Sequence, residues 1–92
     1  MDLAELEAVL RDRLAAPPEG SYSITVLQDP VKASRKIMEE AFELTLELVR
    51  RPVDPSRAAA EAADVLFHTV AGLVGAGVPL SDVFAELEAR RR

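Results

Sequence analysis

The chain has 92 residues, a formal net charge of -5 and no cysteine. Its length indicates a single domain over residues 1–92, and the lack of cysteine excludes disulfides and thiolate metal sites. Because the acidic balance is unlike that of a general nucleic-acid-binding protein, we expect no nucleic-acid partner.

The N-terminal segment predicts a helix rather than a targeting signal. Asp2 with Glu5 resembles a capping box, and Pro17-Pro18 should end the helix. Leucines recur at helical spacing, at Leu3, Leu6, Leu10 and Leu14. The acidic start has no apolar region typical of a signal peptide, and no uninterrupted apolar run reaches the roughly 18 residues that span a membrane. We therefore expect a cytoplasmic protein with no membrane partner.

The segment 19–29 has an ambiguous pattern. Tyr22, Ile24 and Val26 alternate as in a strand, but no neighbouring segment offers a partner strand. We expect either a loop or a short helical turn here.

The next helix begins at Asp29-Pro30, an N-cap followed by proline at the first helical position. It should run to about Arg50. Its apolar seam has the spacing 4, 3, 4 and consists of Ile37, Ala41, Leu44 and Leu48.

Asp54-Pro55 repeats this start signal and predicts a helix that runs to about Gly75. Its seam consists of Ala58, Ala62, Val65, Thr69 and Gly72. The other faces are also apolar, for example at Leu66 and Val70, and a helix that is apolar nearly all round has to be covered on nearly all sides. Because three short helices cannot cover it, we expect a second copy of the chain to do so.

A last helix should follow Pro79, with Val83, Phe84 and Leu87 facing inward. These elements predict an all-α fold, an antiparallel bundle of about four helices completed by formation of a homodimer.

Two acidic pairs carry the chemistry: Glu40 with Glu43, and Glu61 with Asp64. Residues three apart lie on one helix face, so each pair points two carboxylates the same way. Oxygen ligands from two helices suit a hard divalent cation, Mg²⁺ first and Mn²⁺ second. The alternative is a solvated acidic face, although such faces usually mix signs and no Lys or Arg occurs between Glu61 and Asp82. The pattern alone leaves both interpretations open.

The residues beside these pairs also have two interpretations. Lys36 either contacts a substrate phosphate or pairs with Glu40. His68 either contacts substrate or is a helix-face histidine bonded to Asp64 or across a subunit interface, and hard Mg²⁺ favours oxygen over its nitrogen. We expect Glu39 to be structural and not a metal ligand.

Several motifs in the chain resemble those of a known group of enzymes. Two segments resemble motifs of the all-α nucleoside triphosphate pyrophosphohydrolase superfamily, the MazG-like group: Lys36-Ile-Met-Glu39-Glu40-Ala-Phe-Glu43 and Glu61-Ala-Ala-Asp64-Val-Leu-Phe-His68. Within it, the phosphoribosyl-ATP pyrophosphohydrolase family is similar in Ser21-Tyr22-Ser23, in Asp64-Val-Leu-Phe67-His68 and in Gly77-Val-Pro-Leu-Ser-Asp82-Val83.

The resemblance implies Mg²⁺-dependent hydrolysis of phosphoribosyl-ATP to phosphoribosyl-AMP and pyrophosphate, the second step of histidine biosynthesis. The metal ligands and catalytic residues would be Glu40, Glu43, Glu61 and Asp64, with Mn²⁺ as a substitute ion. One of these acids, or Glu47, would accept the proton of the attacking water. The nucleotide would be contacted by Lys36, Lys32 and His68.

Two other functions remain to be distinguished. One is a house-cleaning pyrophosphohydrolase of free or damaged nucleotides, which a profile of substrates would separate from the histidine enzyme. The other is a non-enzymatic helical interaction module, which titration with Mg²⁺ would identify.

Overall fold

The computed structural model describes residues 1–91, so that Arg92 alone lies outside the description, and its regular structure is entirely helical. Five helices follow one another: α1 (Leu3–Ala15), α2 (Tyr22–Leu27), α3 (Pro30–Val49), α4 (Pro55–Gly75) and α5 (Leu80–Ala89). The all-α prediction is confirmed. The fifth helix is α2, the short helical turn that was one of two expectations for residues 19–29.

Aspartates begin three of the helices. The Asp2 carboxylate accepts a hydrogen bond from the backbone N–H of Glu5 at 2.8 Å. Asp29 and Asp54 each accept two backbone N–H bonds from the first turn that follows them. Each such cap contributes about 1 kcal/mol to the stability of its helix. The predicted helix starts are therefore confirmed, since the capping chemistry is local to the sequence.

The core lies where α1 and α2 pack against the hairpin of α3 and α4. Its buried apolar side chains are Leu10, Val26, Leu27, Ala33, Val70, Ala71, Val74 and Leu80. Around them pack the partly buried Leu3, Leu6 and Leu14 of α1, as the leucine spacing predicts. The α2 residues Val26 and Leu27 explain why this segment is helical, because a single turn buries both against α4.

Three positions expected to face inward do not do so within one chain. Leu48 is 53% exposed, while its neighbour Glu47 is buried, because Glu47 forms ion pairs that draw it toward α4. On α5, Leu87 is 60% exposed and Phe84 is also exposed. The helix docks through its first turn, where Leu80 is buried and its N–H donates to the Glu7 carboxylate of α1 at 2.7 Å.

Within residues 1–91, α4 is the one helix that is long and apolar enough to cross a membrane by length and composition. Its apolar sequence is interrupted by Glu61, Asp64 and His68. Such ionisable residues are costly in hydrocarbon. A core helix passes the same test, and α4 packs against α1, α2 and α3.

Candidate metal centre and active site

The α3–α4 hairpin brings three of the four predicted metal ligands together. Oxygens of Glu40, Glu43 and Glu61 all lie within 4.8 Å of one another. Glu40 and Glu43 are one turn apart on α3, and Glu61 faces them from α4. The arrangement is a set of hard oxygen donors from two helices, which is the donor chemistry that Mg²⁺ and Mn²⁺ prefer.

Glu40, Glu43 and Glu61 are called here the acidic cluster. One carboxylate oxygen of this cluster has no hydrogen-bond partner among the described residues. The Oε2 atom of Glu61 is buried and makes no hydrogen bond to any of residues 1–91. A buried polar atom left without a partner costs about 1–3 kcal/mol, and more when it is charged. A cation among the three carboxylates would remove this cost, so the residues present fit a divalent metal ion.

The environment of Glu40 disfavours its charge. Burial, with 8% of the residue exposed, raises the pKa of the Glu40 carboxyl, and the nearby carboxylates of Asp64 and Glu43 raise it further. Lys36 acts in the opposite direction on this pKa but does not cancel the rise. A bound cation would favour the charged form instead.

Asp64, the fourth predicted ligand, lies outside the group of three. It is exposed, although it is near enough to Glu40 to affect its pKa. Aspartate is one methylene shorter than glutamate, so its carboxylate reaches less far from α4 toward α3. Asp64 therefore flanks the acidic cluster.

Lys36 pairs with two glutamates on its own helix. Its Nζ donates to Glu39 Oε2 at 3.3 Å and lies 3.6 Å from Glu40 Oε1. The hydrogen bond to Glu39 and the charge of that residue raise the pKa of Lys36. The expected pairing with Glu40 is present, and Glu39 lies outside the acidic cluster.

Lys32 is one turn before Lys36 and is held by α2. Its Nζ donates to Thr25 Oγ1 at 2.8 Å and lies 5.2 Å from the centre of the Tyr22 ring. The Thr25 hydroxyl in turn donates to the backbone carbonyl of Tyr22 at 2.7 Å. An ammonium group over an aromatic face is attracted by the negative potential of the ring.

His68 is buried and both of its ring nitrogens have partners. Nδ1 lies 2.9 Å from the backbone carbonyl oxygen of Asp64, and Nε2 lies 3.0 Å from the Tyr22 hydroxyl. The bond to Asp64 agrees with one of the two sequence interpretations. Tyr22 is not among the individual residues predicted for the site, because residues 19–29 were expected to form either a loop or a short helical turn, and this left open which side chains share a face. At helical spacing, Tyr22 and Thr25 share one face, which would have indicated their joint role.

Glu47, one of the residues considered as a proton acceptor, belongs to a different part of the hairpin. Its carboxylate accepts from the Arg57 guanidinium at 3.2 and 3.3 Å and from Arg50 at 3.3 Å. These bonds join the end of α3 to the start of α4. We therefore treat Glu47 as a structural residue.

Two concave regions of the surface lie away from the acidic cluster. An apolar groove of about 270 Å³ between α3 and α4 is lined by Pro30, Ala33, Ser34, Ile37, Thr69, Gly72, Leu73 and Ala76. A wider one of about 500 Å³ lies at the α3–α4 loop and is lined by Arg50, Pro52, Val53, Asp54, Pro55 and Arg57. Neither includes an acid of the cluster, so these two cavities do not supply the walls of a nucleotide site around it.

Known proteins resemble this chain over nearly its whole length. The family described as phosphoribosyl-ATP pyrophosphohydrolase matches residues 3–91. A phosphoribosyl-ATP pyrophosphatase of Methylobacterium nodulans is 43% identical over 96% of this chain and 81% of its own length. Proteins of the same name from Dinoroseobacter shibae and Methanoregula boonei are 40% and 39% identical, over 96% and 98% of this chain and 85% and 88% of theirs. No solved structure matches significantly. The chain belongs to the phosphoribosyl-ATP pyrophosphohydrolase family.

Proposed function

We propose that this protein hydrolyses phosphoribosyl-ATP to phosphoribosyl-AMP and pyrophosphate, the second step of histidine biosynthesis. The reaction breaks the anhydride bond between the α- and β-phosphates. Family membership over residues 3–91 supports the substrate, and the three convergent carboxylates, one with a buried oxygen that has no partner, support the chemistry. The last of these observations carries the proposal, because a solvated acidic face would leave no oxygen buried and unsatisfied.

The cofactor in this proposal is Mg²⁺, with Mn²⁺ as a substitute. Glu40, Glu43 and Glu61 would hold the ion, and Asp64 would flank it. When bound, the ion supplies neutralisation of the triphosphate charge and a lowered pKa for an attacking water. Anhydride hydrolysis depends mainly on positioning and charge, which suits a site built from carboxylates and lysines.

The chain's own residues have separate roles. Lys36 and Lys32 hold phosphate oxygens, and the exposed Glu39 is the partner that Lys36 gives up when the nucleotide binds. One of the four site acids accepts the proton of the attacking water. His68 lies at the same edge of the site, and a direct contact between it and the substrate stays a prediction.

The assembly in this proposal is a homodimer in the cytoplasm, where soluble nucleotides are found. Large apolar side chains remain exposed along α3, at Met38, Phe42, Leu46 and Val49. They follow one another at spacings of three or four and so form one continuous face, called here the α3 apolar face. Exposed patches of this kind mark protein interfaces. Leu66 of α4 is also exposed, whereas Val70 is buried in the core.

The decisive experiment is turnover of phosphoribosyl-ATP with and without Mg²⁺, with ATP and dUTP as competing substrates. We expect release of pyrophosphate that requires the metal ion and is much faster with phosphoribosyl-ATP. Equal turnover of ATP or dUTP would assign the protein to nucleotide house-cleaning. No turnover of any nucleotide by a folded protein would favour an interaction module.

A further inference from the structure

The hydrogen bonds of His68 determine which nitrogen carries its proton. A backbone carbonyl can only accept, so Nδ1 donates to the Asp64 carbonyl at 2.9 Å. In the neutral ring Nε2 is then an acceptor, and the Tyr22 hydroxyl donates to it at 3.0 Å. Both ring nitrogens of His68 thus form hydrogen bonds within the chain. Of the two hydrogen-bonded residues His68 and Tyr22, it is Tyr22 that reaches the surface.

Tyr22 is fixed by these contacts although 49% of it is exposed. Its ring meets the His68 ring edge to face, with centres 6.1 Å apart and planes at 89°. Its other contacts are to Lys32, whose ammonium lies 5.2 Å from the ring centre and donates to Thr25 on the same turn of α2. The short helix α2 therefore connects a buried histidine of α4 to a half-buried lysine of α3.

One end of this connection, His68, lies near Glu40 of the acidic cluster, and the other end, Lys32, is one turn before a lysine that contacts Glu40. Lys32 and Lys36 are four residues apart, so they share one face of α3, and Lys36 lies 3.6 Å from Glu40 Oε1. His68 is one turn after Asp64 on α4. An anionic chain held by the two ammonium groups would run along α3 toward the carboxylates, where its negative charge requires the cation.

We propose that Tyr22 is a positioning residue that holds the Lys32 ammonium against the phosphate chain of the nucleotide, with His68 and Thr25 as its supports. The proposal rests on the proposed function. A lysine side chain has several rotatable bonds, so without a support its ammonium spends little time in one place. The Tyr22 ring and the Thr25 hydroxyl reduce this freedom before the substrate arrives, and the hydrogen bond to His68 keeps the ring in place.

The first test compares Tyr22→Phe with wild type in steady-state turnover of phosphoribosyl-ATP. The change removes the hydroxyl and keeps the ring. We expect KM to rise about two- to tenfold, the effect of one hydrogen bond. We expect kcat to stay within about twofold, because Lys32 contacts the phosphates equally before and during reaction.

Threonine variants provide a matched control. Thr25 and Thr45 each donate to the backbone carbonyl three residues earlier, at 2.7 and 2.6 Å, but in these bonds only Thr25 also accepts from a lysine. Thr25→Val should raise KM as Tyr22→Phe does, and Thr45→Val should leave it unchanged. Equal effects of both variants would mean that the change in KM reflects helix stability alone, and this would overturn the proposal.

A double-mutant cycle tests whether Tyr22 acts through Lys32. Lys32→Met should raise KM by at least about tenfold, as for loss of a bond to a charged group. In that background, Tyr22→Phe should change KM by less than about twofold, because the group it positions is gone. An undiminished effect in the Lys32→Met background would show that Tyr22 acts by another route.

Two further measurements do not depend on turnover. The dissociation constant of pyrophosphate with Mg²⁺, from calorimetry, should rise in Tyr22→Phe and Thr25→Val but not in Thr45→Val.

His68 is the one histidine of the chain, so its ¹⁵N imidazole signals need no separate assignment. They should show a proton on Nδ1 in wild type, and a proton on Nε2 would overturn the proposal. If the ¹⁵N pattern and the changes in pyrophosphate binding are as expected but wild type does not hydrolyse phosphoribosyl-ATP, the proposed substrate would be contradicted and the positioning role would be supported.

Discussion

At the scale of single residues, the fold disfavours the negative charge of Glu40. Burial and then the Asp64 and Glu43 carboxylates raise its pKa above the ordinary 4.5, so the folded chain holds the Glu40 proton more tightly than the unfolded chain does. The corresponding stability is therefore present at low pH and is lost as pH rises through the raised value. At neutral pH, the metal-free protein carries this cost.

Replacement of Glu40 by glutamine should remove that cost. In EDTA we expect Glu40→Gln to melt at a higher temperature than wild type at pH 8. The difference should shrink toward zero as pH falls below 4.5, because Glu40 then becomes protonated in both the folded and the unfolded state. Thermal unfolding at a series of pH values measures this. The control is Glu86→Gln, an exposed acid on α5 that should give no such trend. An advantage independent of pH would contradict the assigned cause.

Glu61 provides the residue-scale test of the metal centre. Because its Oε2 is buried and unpartnered, the oxygen is free to bind a cation, and Glu61→Gln should weaken Mg²⁺ binding by at least about tenfold. Turnover should fall with it. Glu39→Gln, outside the acidic cluster, should change both much less. Equal losses from the two variants in a Mg²⁺ titration would count against this centre.

At the scale of helices, two glycines of α4 lie where α2 and α3 pack against it. A side chain at Gly75 would collide with the backbone carbonyl of Leu27, whereas one at Gly72 would meet Ile37 Cδ1 at 3.6 Å and Ala33 Cβ at 3.7 Å, ordinary packing distances. We expect Gly75→Ala to lower the free energy of unfolding by about 1–3 kcal/mol. Gly72→Ala should be neutral or stabilising by up to about 1 kcal/mol. Urea unfolding of both variants measures the difference, and equal values would mean that α2 does not dock as described.

The ion pairs of Glu47 join α3 to α4 at their loop. Glu47→Ala should cost about 1–2 kcal/mol in urea unfolding, less than a fully buried pair, because the Arg57 side chain is 60% exposed and water solvates it after the change. The exposed pair of Glu88 and Arg91 is the control, and Glu88→Ala should cost less than about 0.5 kcal/mol. If Glu47→Ala lowers the free energy of unfolding no more than Glu88→Ala does, the ion pairs of Glu47 do not stabilise the α3–α4 hairpin.

These elements differ in how far the sequence alone predicts them. The starts of α3 and α4 follow from Asp29 and Asp54, because an N-cap acts on amides two or three residues away. The acidic cluster follows from helical spacing, since a hairpin of two amphipathic helices has few ways to align. The form of α2, and with it the role of Tyr22, depends on contacts with His68, 46 residues away, which no local pattern contains.

At the scale of the whole molecule, one chain leaves its surface and its site incomplete. The α3 apolar face is exposed, and the two cavities described above are not lined by the acids of the cluster. A nucleotide with two ribose groups needs more walls than the acidic cluster offers. If a second copy covers the α3 apolar face, it also brings its own residues near the site, because Phe42 adjoins Glu43 in the chain.

A monomeric variant should therefore keep its metal binding but lose its turnover. Leu46→Lys places a charge on the α3 apolar face, away from the core, and should convert a dimer into a folded monomer at micromolar concentration, as measured by sedimentation. The acidic cluster lies within one chain, so Mg²⁺ should still stabilise this monomer, by about 2.7 kcal/mol at 100 times its dissociation constant. Turnover of phosphoribosyl-ATP should be largely lost.

The control is Ser81→Lys on the exposed part of α5, which should remain dimeric and active. A fully active Leu46→Lys monomer would show that one chain is sufficient, and a monomeric wild type would leave the α3 apolar face without a partner.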